Sequence, residues 1–228
     1  MSVKLFYSPG SCARVTAIAL EEAGVDFEIR LVRMATGEHK QPDYLSINPK
    51  GKVPTLVIDG RSLTENVAIL SYLNFCYPEA RLLPEAGDEF ERMAQVADLC
   101  FCSATLHPIV TRICIPRFFA ATDDARNQVR EAAIMMMRDQ FQIVERRLEG
   151  QPFWYGQDWS VMDGYLYWVW CRVLGGGFPV EDYPRFAAHA RAVEARASVV
   201  RALERERLAI AQLRSEGIAV MPAPPFNS

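Results

Sequence analysis

Lys52-Val53-Pro54-Thr55-Leu56, followed by Leu63-Thr64-Glu65-Asn66, is the stretch that decides the fold. Pro54 stands between an Asn48-Pro49-Lys50-Gly51 turn and an apolar strand. Proline cannot donate to a sheet ladder, so it belongs at a strand's first residue or edge. A cis Val53–Pro54 bond would turn the Val53 N–H and C=O outward, where an extended peptide can pair with them. Nine residues beyond Leu56, Glu65-Asn66 opens a helix over residues 65–76. Free N–H groups at such a helix start attract a carboxylate, and the Glu65 side chain can hold an ammonium. The two segments together suit a peptide with a free amine, two carboxylates and a central thiol.

Working outward, residues 3–7 read as a short apolar strand. Residues 13–23 read as a helix with Val15, Ile18, Ala19 and Ala23 on one side, stopped by Gly24. A second strand covers 27–32 and a short helical turn 41–47. Asp59-Gly60 between strands 55–58 and 61–64 is a hairpin signal. The order β-α-β-α-β-β-α predicts a mixed four-stranded sheet. The expected domains are residues 1–80, a linker at 81–88, an all-helical domain at 89–214 and an extended tail at 215–228 with three prolines. Ile134, Met137, Phe141, Val144 and Leu148 recur at steps of three and four, a buried helix face. Met135-Met136-Met137 reads as core filling. Ser160-x-x-Asp163 is a capping box. The arginines at 191, 196, 201, 205, 207 and 214, alternating with Glu194, Glu204 and Glu206, read as a solvated face. Trp168, Trp170 and Arg172 read as core, with the lining of a pocket as the competing reading.

With 50% hydrophobic and 23% charged residues the composition is that of a soluble globular protein, and the formal net charge of −3 excludes a nucleic-acid footprint. No apolar run approaches the roughly 20 residues of a membrane helix. The first residues lack the pattern of a signal peptide, so the expected location is the cytoplasm. Cys12, Cys76, Cys100, Cys102, Cys114 and Cys171 have no framework spacing and read as reduced thiols. Cys100, Cys102 and His107 do not make a metal site. On a helix the two cysteines point about 200° apart, and the histidine lies roughly 10 Å along the axis.

These segments, in this order over residues 3–213, resemble a cytosolic glutathione transferase: a thioredoxin-like domain followed by an all-helical one. Phe6-Tyr7-Ser8-Pro9-Gly10-Ser11-Cys12, the Asn48-Pro49-Lys50-Gly51 turn and the Leu106-His107 pair are similar to the bacterial beta class. The resemblance implies glutathione as co-substrate, a small hydrophobic electrophile, no metal and a homodimer.

The resemblance also assigns candidate residues. Cys12 enters the first helix, whose dipole would lower its pKa. It would form a mixed disulfide with glutathione or orient the glutathione sulfur; the competing reading is a small buried residue. Ser11 and Tyr7 are rival hydroxyl donors, against readings as a helix cap and a core aromatic. Val53 and Pro54 would hold the cysteinyl backbone, and Glu65 and Asn66 the γ-glutamyl end. Lys52 would pair with the glycyl carboxylate or be a plain exposed lysine. Where the beta class has a lysine before its second helix this chain has Thr36, leaving His39 or Lys40 to replace it. Arg14 and His107 are candidates for the second-substrate pocket, Arg14 by attracting an anionic substrate or stabilising the thiolate. His107 competes with a structural reading, and Pro108 would kink its helix.

Three functions compete: conjugation, a glutathione-dependent redox or lyase reaction (thiol–disulfide exchange, dehalogenation or aromatic ether cleavage), and non-enzymatic binding or regulation. Ser11-Cys12 also resembles part of the signature of the zeta-class isomerases, but Gly10 departs from that class.

Overall fold

The computed structural model describes residues 2–220. In chain order it contains β1 (Val3–Tyr7), α1 (Ala13–Glu22), β2 (Glu28–Leu31), α2 (Pro42–Ile47), β3 (Thr55–Ile58), β4 (Arg61–Thr64) and α3 (Asn66–Cys76). There follow α4 (Glu89–Cys100), α5 (His107–Cys114), α6 (Asp123–Arg147), α7 (Val161–Gly175), α8 (Pro184–Glu194) and α9 (Ala197–Ser215). The described residues fall into two compact units, 2–83 with 196–220, and 84–195. The tail reading falls partly outside the described residues: α9 ends at Ser215, and residues 221–228 are not described.

The first unit is built on a four-stranded sheet of order β2-β1-β3-β4, in which only the β1–β2 pair is parallel. Leu5 stands between Ile29 and Leu56, and Leu56 pairs with Leu63, so one register aligns the apolar positions. The β3–β4 turn has φ 46° at Asp59 and φ 81° at Gly60, the two left-handed residues a tight hairpin requires. The sequence pattern assigned α1 one buried side. The structure buries Ala13 to Glu21, Arg14 and Thr16 included, because α1 packs against β1, α3 and α9. A helix covered on several sides is buried all round.

Residues 196–215 join this unit, whereas the sequence pattern placed them with the other helices. The arginine-rich stretch is also more than a solvated face. Arg201 donates to one carboxylate oxygen of buried Glu21 at 2.6 Å while Arg205 takes the other, and Arg196 pairs with Glu22 at 2.6 Å. The Arg205 guanidinium also lies 4.3 Å from the Phe27 ring centre. Arg207 and Glu204 do form an exposed surface pair.

The second unit packs around α6 and α7. Met137, Phe141, Val144 and Leu148 are buried, and the Phe141 ring meets Trp170, Phe178, Tyr183 and Phe186. Of the three consecutive methionines only Met137 fills core; Met135 and Met136 are exposed. The capping box is present, and Asp163 also accepts from the Trp154 N–H at 2.7 Å and meets His189 Nε2 at 2.9 Å. Glu89–Cys114 runs as one helical stretch of 26 residues, long and apolar enough by composition to cross a membrane, which the sequence reading did not register. One face of it is buried, with Leu99, Cys102, Leu106, Ile109, Val110 and Ile113 inside and α5 packed on α6 and α7, while Phe90 and Met93 are exposed.

Candidate active site

The turn from β1 into α1 carries Cys12. Gly10 has φ 74°, a backbone that side chains resist. The Ser11 hydroxyl donates to the Ser8 carbonyl at 2.6 Å, and its oxygen accepts from the Ala13 N–H at 3.3 Å. Ser11 therefore caps the helix start. The Cys12 thiol donates to the Val53 carbonyl at 3.7 Å. Asn66, the first residue of α3, donates from Nδ2 to the Cys12 carbonyl at 2.9 Å and accepts from the Thr16 hydroxyl at 2.7 Å. Three segments far apart in sequence thus converge on Cys12: the α1 start, the Val53 edge and the α3 start.

The Val53–Pro54 bond is cis. Among the described residues the Val53 N–H takes no internal partner. The preceding turn is held through the Lys52 carbonyl, which accepts from the Tyr44 hydroxyl at 2.6 Å and from Asn48 Nδ2 at 2.7 Å. The Lys52 side chain is exposed. Gly51 has φ 58°, and a Cβ there would stand 2.7 Å from the His39 carbonyl oxygen. At the other edge, Glu65 adopts φ 71°, an outlier for a non-glycine residue. Its carboxylate meets Lys50 at 2.7 Å, and no side chain caps the helix it opens. The first N–H groups of α3 therefore lack a capping acceptor. Of the residues weighed for the glycyl contact, Thr36 turns its hydroxyl to the Arg33 carbonyl at 3.0 Å, and the Lys40 ammonium lies beside Gly51.

Electrostatics corrects several expectations. The dipole at the α1 start was expected to lower the Cys12 pKa. Burial instead pushes the thiol up to about 12, outweighing the backbone and Asn66 hydrogen bonds that favour the thiolate. Tyr7 is a core residue whose hydroxyl donates to Glu206; burial and that carboxylate push its pKa well up, so it is not a free acid near the thiol. Arg14 is neither exposed nor open to an anionic substrate. Its Nε and Nη2 engage the Glu206 carboxylate at 2.8 and 2.7 Å, with both side chains buried. Asn66 uses its side chain internally, on Thr16 and the Cys12 carbonyl.

His107 lies in the second unit, half-buried, its ring centre 4.6 Å from that of Trp168. Pro108, which lacks an N–H, follows a π-helical stretch over Phe101–Leu106. Among the described residues no group of three or more acidic, cysteine or histidine side chains is placed to hold a metal. Sequence reasoning missed Lys50 and Glu206. A signal for Glu206 exists: Val199, Ala202, Glu206, Ala209 and Leu213 recur at steps of three and four, which puts the carboxylate in the apolar stripe.

A family model described as the N-terminal domain of glutathione S-transferase matches residues 1–74. Glutathione S-transferase GstA of Escherichia coli O157:H7 is 30% identical over 90% of this chain and 100% of its own length. A bacterial beta class glutathione S-transferase from Sphingomonas chungbukensis superposes with a TM-score of 0.79 at 33% identity, covering 90% of this chain and 99% of its own. A glutathione transferase homolog from Sulfitobacter, solved with bound glutathione, has a TM-score of 0.78 at 28% identity, covering 96% and 99%. The α1 turn, the Val53 edge and the α3 start all lie within the matched first 74 residues, and with a full-length relative at 30% identity the chain belongs to the glutathione S-transferase family.

Proposed function

We propose that this glutathione transferase binds glutathione along the Val53 edge and directs its thiolate onto a small hydrophobic electrophile. The observation that carries this reading is the convergence on Cys12 of Val53, whose N–H takes no internal partner, and of a helix start that no side chain caps. Val53 offers its N–H and C=O to the cysteinyl backbone, adding the peptide as a short extra strand. The α3 N–H groups receive the γ-glutamyl carboxylate, and Glu65 exchanges Lys50 for the ligand's ammonium. Lys52, exposed beside Val53, takes the glycyl carboxylate.

Cys12 orients the sulfur rather than attacking. Its thiol, with a pKa near 12, stays protonated at neutral pH. It is therefore a donor, free to turn from the Val53 carbonyl to a glutathione thiolate. Hydrogen bonds to an ionised acceptor are roughly twice as strong as neutral ones, so this contact lowers the pKa of the bound thiol. Ser11 and Tyr7 already donate to Ser8 and Glu206, which leaves Cys12 as the donor. The rest of the catalysis is positioning of the thiolate against the electrophilic carbon. Thiol–disulfide exchange at Cys12 needs a thiolate there, and burial disfavours it.

His107, against Trp168, is the residue we assign to electrophile binding. The unbridged cysteines support a cytoplasmic setting. Almost fully exposed Phe75 on α3 and Phe90 on α4 support assembly as a homodimer.

The test combines calorimetric titration with glutathione, intact mass under non-reducing conditions, and initial rates with an activated chloronitrobenzene. Binding without a glutathione-sized adduct is expected. A Cys12→Ala variant should still bind while turning over about 10²-fold more slowly, the typical effect of losing one transition-state donor. Absence of binding overturns the function, and a stable adduct on Cys12 overturns the orienting role.

A further inference from the structure

Glu206 is the one buried carboxylate of α9, and its hydrogen bonds from residues 7–14 go to both sides of the Cys12 turn. It accepts from the Tyr7 hydroxyl at the end of β1, from the Gly10 N–H at 2.9 Å, and from Arg14 Nε and Nη2 at 2.8 and 2.7 Å. Gly10 precedes Cys12 by two residues and Arg14 follows it by two. An ion pair taken wholly out of water is no cheap way to hold a helix against its neighbours, since well-packed apolar side chains of similar volume commonly serve as well or better. Here the bonds from Tyr7, Gly10 and Arg14 all fall in the eight-residue stretch that presents the candidate thiol donor. The Gly10 contact in particular anchors the turn's own backbone, in the left-handed conformation that turns the chain toward α1.

We propose that Glu206 is a positioning residue for the transfer reaction: its carboxylate fixes Gly10 and Arg14 on either side of Cys12 and so sets where the Cys12 thiol stands. This rests on Cys12 orienting the glutathione sulfur. It assigns to the C-terminal helix a part in thiol geometry that Cys12's local sequence does not contain.

The experiment uses the double variant Arg14→Met/Glu206→Leu in the full chain, which removes both buried charges and leaves neither without its partner. Its melting midpoint should fall by about 5–20 °C with unfolding still cooperative, because the buried Tyr7 hydroxyl and Gly10 N–H lose their acceptor. Its kcat should fall about 10²-fold, as for a displacement near 1 Å at the reacting groups, with the KM for glutathione within about threefold. The rate of Cys12 alkylation by iodoacetamide, read by peptide mass mapping, should change at least fivefold. Recovery of kcat to within about threefold of the parent, with an unchanged Cys12 rate, overturns the proposal and leaves Glu206 purely structural. Glu206→Asp keeps the charge opposite Arg14 and withdraws it by one methylene. It should show the same split between kcat and KM, and parental kcat in this folded variant equally overturns the proposal. Should the parent fail to use glutathione at all, the functional reading falls, while the alkylation rates still decide whether Glu206 governs Cys12.

Discussion

A thiol at the start of a helix is pulled two ways. Backbone N–H groups favour the thiolate, while removal from water favours the thiol. At Cys12 burial wins, and the pKa rises from 9.0 to about 12. The sign follows for reactivity: the alkylation rate of Cys12 should climb about tenfold per pH unit through pH 9 and beyond, where a free thiol of pKa near 8.5 levels off. It follows for stability as well. The unfolded chain loses this proton near pH 9 and the folded chain near 12, so the stability present below pH 9 is lost as pH rises across that window. A pH series of iodoacetamide labelling checks this, and a plateau by pH 8 would refute it. The candidate residues near Cys12, Val53 and Asn66 were legible because each lies in a short local pattern with a physical meaning. The fate of Arg14 was not, because the carboxylate that claims it lies 192 positions along the chain.

Elements bounded by turn chemistry were read closely from sequence, and those shaped by packing were not. Strands 55–58 and 61–64 are found at those positions because Asp59-Gly60 dictates the hairpin. The 3₁₀ turns over Met34–Thr36 and Glu38–Lys40, and the π-helical stretch before Pro108, have no periodicity to announce them. The turn before Val53 shows how narrow such chemistry is. Gly51 combines φ 58° with a His39 carbonyl oxygen 2.7 Å from any Cβ placed there. A Gly51→Ala change therefore meets both backbone strain and a rigid neighbour. Strain of this kind costs about 1–3 kcal/mol, so urea unfolding should show a loss of at least that size. Displacing Lys52 and Val53 should also raise the KM for glutathione. Parental stability with an unchanged KM would show that the turn does not set the Val53 edge.

At the scale of the molecule, the first unit is not one continuous stretch. Residues 2–83 are completed by 196–220, with the helical unit spliced between them in the sequence. The sequence could not show this return, since α9 has the charge pattern of a surface helix and only its buried stripe says otherwise. The consequence is that the sheet half depends on a helix more than a hundred residues away. A chain ended after Ala195 would lose Glu206, stranding the buried Arg14 guanidinium. It would also lose Arg201 and Arg205 from the buried Glu21 carboxylate, and would uncover the side of α1 that packs on α9. Stranding one member of a buried pair alone costs about 3–5 kcal/mol, against a total stability of about 5–15 kcal/mol for a typical domain. The two Glu21 contacts add less, because their arginines are partly exposed. The truncated chain is therefore expected to lose cooperative thermal unfolding, monitored by circular dichroism. Adding Arg14→Met to it should recover part of the loss by removing the stranded charge. A truncated chain that melts like the parent would mean that residues 1–195 already hold the α1 turn in place.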